Sequence, residues 1–406
     1  MKDKKIEQLI KSEAKRQTSV INLIASENDT SRDVRAALGS VFVNKYAEGY
    51  PKARYYGGNE HVDKLEELTR ARALKLFGLS TKTWGVNVQS YSGSPANLAI
   101  YMALVPVGAK IMGLELAMGG HLSHGHKVSI TGKLWQQVVY GVDKKTELLD
   151  YDEICRIAER ERPAMIVAGF TAYSRVIDFK RFRQIADRVG ALLLIDMSHI
   201  AGLVAGKVYS SPFPYADVVM TTTHKTLRGP RSALIFSKKE FSEKIDKVVF
   251  PGSQGGPHAN QIAAVAVALA EASTPAFKKY AKQVIKNAKV LSAELTRRGW
   301  RVISGGTDTH LLLVDTQVQD ISGTRASGAL EEIGIIVNKN TIPYDARPPR
   351  DPSGIRLGTP TVTTRGMREP QMRMIAGFID EVLRGIHGDR VARQVARLAK
   401  QFPQQK

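Results

Sequence analysis

The sequence predicts an α/β protein, a large domain on a mostly parallel sheet followed by a smaller C-terminal α+β domain. Three observations predict it. Short apolar runs rich in β-branched residues alternate with a helical pattern between residues 164 and 239. A long helical stretch over 261–298 is interrupted at Ser273, Thr274 and Pro275, where proline marks a break. The 406 residues, 43% hydrophobic and 24% charged, can bury a large core and divide into two domains. We place the boundary there, with an N-terminal arm and the large domain in residues 1–272 and the small domain in 273–406.

Taken in order, the opening MKDKKIEQLIKSEAKRQ reads as an amphipathic helix and is too charged for the apolar stretch of an export signal. No apolar run reaches the roughly 18 residues of a membrane span. In QSYSGSPANLAIYMAL, Ser92, Gly93 and Ser94 form a small-residue turn, Pro95 has the fixed φ of a first helical turn, and ANLAIYMAL continues as helix. Such a start is either an ordinary capped helix or a set of amides for an anion. AMIVAGF (164–170) is a strand, FKRFRQIADRVG a helix, and ALLLID (191–196), ADVVM (216–220) and ALIFSKK (233–239) are strands. After the break, WRVISGGTDTHLLLVD reads as a strand with a turn, followed by a helix and a helical tail. Cys155 is the single cysteine, so no internal disulfide forms and a reducing cytoplasm is the default location.

The net charge is +20. Arg384, Arg390, Arg393, Arg397, Lys400 and Lys406 concentrate it near the C-terminus against Asp389. We read this as a solvated helical face rather than a specific nucleic-acid tail, because no zinc-finger spacing or stacking aromatics accompany it.

Chemistry in an open α/β sheet gathers at the carboxyl ends of the strands. Three strands here end in polar residues: AMIVAGF leads to Thr171 and Tyr173, ALLLID through Asp196 to Ser198 and His199, and ADVVM to Thr223, His224 and Lys225. A lone lysine at such a mouth is an ion-pair partner. Beside Asp196 it is also a candidate for a Schiff base with a pyridoxal cofactor, whose ring nitrogen wants a carboxylate to keep it protonated. A neighbouring cation, Arg231, disfavours protonation of the amine. The turn FPGSQGGP (250–257) is a plain loop or a second set of amides for an anion. The histidines of GGHLSHGH, at 121, 124 and 126, match no metal-ligand spacing, and stacking on a flat ring is as good a reading.

The motifs LIASEN (23–28), NKYAEGYPKARYYGG (44–58), YSGSPAN (91–97), GGHLSHG (119–125), IDMSHIAGLVAG (195–206), TTTHKTLRGPR (221–231), FPGSQGGP and SGIRLGTP (353–360) resemble serine hydroxymethyltransferases, in order and over nearly the whole chain. The resemblance implies a fold-type-I pyridoxal-phosphate transferase with a seven-stranded sheet in its large domain. It implies a homodimer, or a pair of dimers, that interconverts L-serine and glycine with tetrahydrofolate as co-substrate.

Carried over by position, Lys225 holds the cofactor, Asp196 pairs with its ring nitrogen and His121 stacks on its face. Ser92, Gly93 and Ser94 bind the phosphate, joined across the dimer interface by Tyr46, Gly255 and Gly256. His199 and Thr171 sit by the phenolic oxygen, where the family more often has serine at the latter position. His224 flanks the cofactor and Arg231 tunes it. Arg356 takes the substrate carboxylate with Ser26 and Tyr56, and Glu48 is the acid–base carboxylate. Leu116, Gly120 and Asn340 match positions near the folate.

The chain departs from the family at three further places. Pro348, Pro349 and Arg350 stand where Ser-Pro-Phe is usual beside the folate, which removes an aromatic wall. YPKARYYGG replaces YPGKRYYGG, and Asn59 stands where cysteine is frequent. The folate-side change leaves a second reading open, a folate-independent aldolase or transaldolase acting on a β-hydroxy amino acid.

Overall fold

The structure is a computed structural model that describes residues 1–386 and 388–404; Lys406 of the basic tail lies outside them. The first helix, α1 (Lys4–Ser19), starts where Asp3 accepts hydrogen bonds from the Lys5 and Ile6 amides at 3.0 and 3.2 Å. By compactness the chain forms two units. One comprises Met1–Asp29, Ala172–Arg175 and Gln283–Lys406, the other Thr30–Thr171 and Val176–Lys282. This differs from a single cut at 272/273.

The larger unit is built on seven strands: β1 (Trp84–Asn87), β2 (Lys110–Leu114), β3 (Gln136–Tyr140), β4 (Met165–Ala168), β5 (Leu192–Asp196), β6 (Val218–Thr222) and β7 (Ala233–Lys238). Their spatial order is β1-β7-β6-β5-β4-β2-β3. The pairs from β3 through β2, β4 and β5 to β6 are all parallel. β7 runs antiparallel to both β6 and β1. Its direction follows from its connection, because residues 223–232 are too few for the crossover of a dozen or more residues that a parallel return needs.

Helix α2 (Gly93–Leu104) lays Ala96, Ala99 and Ile100 into a core with Val167, Leu194 and Met220. The long helical stretch is divided as expected into α3 (Ala259–Ala272) and α4 (Pro275–Arg297). Strands β4 and β6 are buried along their whole length, which explains why they read as continuous apolar runs rather than alternating ones.

The smaller unit holds an antiparallel sheet of β8 (Arg301–Val302), β9 (Leu311–Asp315), β10 (Asn338–Asn340) and β11 (Gly354–Gly358), in the order β8-β9-β11-β10. Residues 1–29 belong with it because Ile21 and Asn22 pair in parallel with Ile335 and Ile336. Ile21 and Leu23 are buried with Trp300, Leu312 and Leu357 in its core. Helix α5 (Gly388–Gln401) buries Val391, Val395, Leu398 and Ala399 and leaves Arg393 and Arg397 exposed. No described helix is long and apolar enough to cross a membrane.

One sequence departure has a backbone consequence. Tyr50 pairs with Ala53 and Gly49 with Arg54, so Pro51 and Lys52 form a two-residue turn. Lys52 sits there at φ +68°, in the left-handed region, where the resembled family carries glycine. Its amide donates to Asp63 Oδ2 at 2.9 Å, a bond that glycine retains. Lys52→Gly is expected to stabilise the protein by up to about 1 kcal/mol in denaturant unfolding, since a left-handed non-glycine residue costs about that much. A loss of stability would show that the turn does not carry this strain.

Candidate active site

Asp196 ends β5 with its side chain only 9% exposed. Its Oδ2 accepts hydrogen bonds from His124 Nε2 and Asn97 Nδ2, each at 3.1 Å, and its Oδ1 from the Ser198 amide at 3.1 Å. Burial alone would raise this carboxyl's pKa. The hydrogen bonds from His124 and Ser198, with the neighbouring histidines, overcome burial and hold it well below the usual carboxylate range. A carboxylate has about four acceptor positions. His124, Asn97 and Ser198 leave one of them for a protonated ring nitrogen.

Lys225 follows β6, and its Nζ donates to Thr222 Oγ1 at 2.8 Å. The loop that carries it is tied down. Thr226 Oγ1 donates to the His199 carbonyl and accepts from the Gly202 amide, both at 2.9 Å. Arg228 donates its amide to the Lys225 carbonyl at 3.1 Å and sits at φ +61°. Its guanidinium lies 4.8 Å from the centre of the Tyr280 ring and 5.6 Å from that of Phe277, so cation–π attraction offsets part of the backbone strain.

Thr222 also meets the start of α2, where a Cβ on Gly93 would stand 2.7 Å from the threonine methyl. Only glycine fits there without a shift. The Ser92 side chain makes no capping hydrogen bond. The amides of Gly93 and Ser94 therefore offer an anion the positive end of a helix.

His121 is pushed down to about 4, first by burial and then by the charges of His124 and Lys225. His224 is pushed down to about 3 by burial, Lys225 and Arg231. Both are neutral flat rings at pH 7. His199 is buried, Thr171 is half-buried with its amide donating to the Gly119 carbonyl at 2.8 Å, and Arg231 is exposed. Leu116 lies in the turn Leu116–Met118, and Gly120 closes it with an amide bond to the Glu115 carbonyl at 3.0 Å. His126 accepts from the Val128 amide at 3.4 Å. Among the described residues no group of three or more His, Cys, Asp or Glu is placed to hold a metal.

A second set gathers around Tyr91. The Tyr46 and Tyr56 rings meet edge to face at 5.4 Å. The charge of Glu48, with a hydrogen bond from Tyr56, raises the Tyr56 hydroxyl's pKa. A Cβ on Gly255 would stand 3.3 Å from Glu48 Oε1, and one on Gly256 would stand 3.5 Å from Tyr46 Cε1. The Tyr91 hydroxyl donates to the Gly256 carbonyl at 2.8 Å and its amide to Gln254 Oε1 at 3.1 Å. Because Tyr91 precedes Ser92, the second glycine turn is tied to the start of α2.

Arg54 fixes the segment bearing Glu48. Its Nη1 donates to the carbonyls of Ala47 and Gly49, its Nε to Asp63 at 2.9 Å, and its Nη2 to buried Glu66 at 2.8 Å. Val41, Val43, Tyr46, Tyr55 and Tyr56 remain 49–80% exposed, an apolar face that this single chain leaves open.

The smaller unit holds the remaining predicted residues. Arg356 is buried, which pushes its guanidinium down to about 10, and its Nε donates to Asn338 Oδ1 at 3.0 Å. Ser26 is half-buried, and Asn340 ends β10. Pro348, Pro349 and Arg350 are exposed on a loop organised by Asp345, which accepts from the amides of Ile342, Arg347 and Ser353 and from the Ser353 hydroxyl.

In the larger unit a buried carboxylate, the Lys225 amine and a helix start with an uncapped first turn lie close together. A sequence profile of serine hydroxymethyltransferase matches residues 1–379. The chain belongs to the serine hydroxymethyltransferase family. It is 54% identical to the serine hydroxymethyltransferase of Acidobacterium capsulatum over 403 residues, 97% of this chain and 92% of that one. It is 53% identical to that of Koribacter versatilis over 405 residues, 99% and 94% of the two chains. It is also 53% identical to serine hydroxymethyltransferase 1 of Pseudomonas aeruginosa over 399 residues, 97% and 94%. The resemblance seen in the motifs and the seven-stranded α/β fold are thereby borne out.

Asn97, Ser123, Arg54 and Arg228 escaped the sequence reading, while His124 was noted only among three histidines and Thr222 only as one of the threonines of TTTHKTLRGPR. The only signals were a polar residue inside the apolar face of ANLAIYMAL and the second histidine of GGHLSHGH.

The depressed histidines give a pH prediction for the protein before cofactor is added. A histidine with a folded pKa below its unfolded 6.5 binds its proton only on unfolding. Its contribution to stability is complete above pH 6.5 and is lost as pH falls toward about 3 for His224. Each pH unit costs about 1.4 kcal/mol. Between pH 7 and 5, His224→Asn is expected to lose up to about 2 kcal/mol less than the parent in urea unfolding. Equal losses would mean that His224 titrates normally.

Proposed function

We propose that this protein catalyses the reversible conversion of L-serine and tetrahydrofolate to glycine and 5,10-methylenetetrahydrofolate, with pyridoxal phosphate as cofactor. The carrying observation is Asp196, a buried carboxylate with one acceptor position open beside the Lys225 loop and the start of α2. These residues fit the cofactor. Lys225 Nζ would hold its carbonyl carbon, Asp196 its ring nitrogen, His121 its face, and the amides of Gly93 and Ser94 with Ser92 its phosphate. His199 and Thr171 would hold its phenolic oxygen, and His224 and Arg231 would flank it. When bound, pyridoxal phosphate supplies an electron sink for the charge left on the substrate Cα when the Cα–Cβ bond breaks.

The chain's own residues do the rest. Arg356 would offer the planar fork that pairs with a substrate carboxylate, a role the family resemblance also extends to Ser26 and Tyr56. Fixing that carboxylate would set which bond at Cα is presented for cleavage. Glu48, held between the two carbonyls that Arg54 grips, takes and returns the proton of the substrate hydroxyl, with the Tyr56 hydroxyl beside it. Leu116, Gly120 and Asn340 are assigned to the folate. The open apolar face around Tyr46, Tyr55 and Tyr56 supports a homodimer in which Tyr46, Glu48, Gly255 and Gly256 serve the partner's site. The single cysteine supports a cytoplasmic location.

The test is glycine formation from L-serine with and without tetrahydrofolate. Stimulation by tetrahydrofolate is expected, and Glu48→Gln should lower kcat by about 10²-fold or more, in line with loss of a general acid–base group. Serine cleavage indifferent to tetrahydrofolate would instead identify an aldolase. That outcome would be traced to Pro348, Pro349 and Arg350.

A further inference from the structure

We propose that His124 and Asn97 are positioning residues for the cofactor ring, anchoring one buried hydrogen-bonded string, His124–Asp196–Asn97–Ser123–His121, that sets its carboxylate and its stacking imidazole together. The inference rests on the cofactor roles of Asp196 and His121 given above.

The string is read from its donors and acceptors. The Asp196 carboxylate only accepts, so the proton between it and His124 belongs to His124 Nε2, 3.1 Å away. His124 has a side chain only 1% exposed, and its other ring nitrogen is buried without a partner. Among the described residues the ring's one hydrogen bond is with Asp196. Asn97 is fully buried in α2, and its Nδ2 donates both to Asp196 Oδ2 at 3.1 Å and to Ser123 Oγ at 2.9 Å. One amide group therefore ties the carboxylate to the histidine segment.

Ser123 passes the constraint on. Its amide donates to His121 Nδ1 at 3.1 Å, and its hydroxyl lies 2.7 Å from the same nitrogen. Because the amide can only donate, His121 Nδ1 is an acceptor, which places the neutral ring's proton on Nε2. The Ser123 hydroxyl then donates to His121 and accepts from Asn97. From Asn97 the bonds run outward to both ring-contacting residues, and His124 donates into Asp196 from the other end.

Such outer partners orient the groups that touch a bound species, and in metal sites their loss costs about 10–100-fold in affinity. Rotation of the Asp196 carboxylate about χ2 would break the bond to His124 or Asn97. A buried bond left unmade is costly, so the carboxylate has one orientation. His121 cannot turn without breaking its two contacts to Ser123.

The test uses the full-length protein freed of cofactor and titrated with pyridoxal phosphate, read by visible absorbance for Kd and for the pH dependence of the bound spectrum. His124→Ala and Asn97→Ala are expected to bind about 10–100-fold more weakly, with a shifted pH dependence, because Asp196 loses donors to its ionised form. His124→Gln, whose amide reaches the place of Nε2, is expected to return to within about threefold of the parent. Parental Kd and pH dependence in both alanine variants would overturn the inference. So would a His124→Gln protein of parental thermal stability that binds as weakly as His124→Ala, since packing alone would then account for the loss. Absence of saturable binding to the parent protein is a different result. It would remove the cofactor reading, and this inference with it. If one alanine variant fails to fold, the other decides between the same outcomes.

Discussion

The structure of this site depends on keeping a charged carboxylate, Asp196, inside the protein. Burial works against the ionised form, and an unpaired buried charge would take up a proton instead. What reverses the balance is a ring of donors drawn from three parts of the larger unit: the histidine segment after β2, the interior of α2, and the turn that follows β5. The neighbouring features follow from the same requirement. α2 must lie close enough for Asn97 to reach, which brings its first turn against Thr222, where only glycine fits. Thr222 then receives Lys225. A carboxylate, an amine and a helix start with an uncapped first turn are thus fixed by one set of contacts.

Around that rigid centre the second set is built differently. Tyr46, Tyr56 and Glu48 stand on a short hairpin segment with little apolar burial of its own, and its shape is held by Arg54. Arg54 is itself committed to Glu66, whose pKa is raised by burial, and to Asp63. A charged group with several fixed partners sets geometry more than it adds stability. Tyr46, Tyr55 and Tyr56 stay exposed on that frame.

Much of the fold was legible because each strand of the central sheet is bounded by turn residues and each helix carries its own periodicity. ALLLID and ADVVM were read as strands, and their polar ends as the mouth of a site, from local pattern alone. The direction of ALIFSKK was not legible in its own residues, since connection length sets it. Nor was the pairing of Ile21 with Ile335, which groups the first 29 residues with the C-terminal ones. In the site, Lys225 and Asp196 announce themselves at strand ends. Asn97 and His124 do not, because their partner lies 99 and 72 residues away and each sits in a segment with an ordinary reading. Lys52 shows the reverse case, where comparison of motifs flagged a position and the backbone explained it.

The proposed chemistry depends on Lys225 joining the cofactor. The most direct measurement is borohydride reduction of the purified protein after incubation with pyridoxal phosphate, followed by peptide mass mapping. A single stable pyridoxyl modification is predicted on the peptide containing Lys225, abolished by Lys225→Ala. Modification scattered over surface lysines, with Lys225 unlabelled, would contradict it.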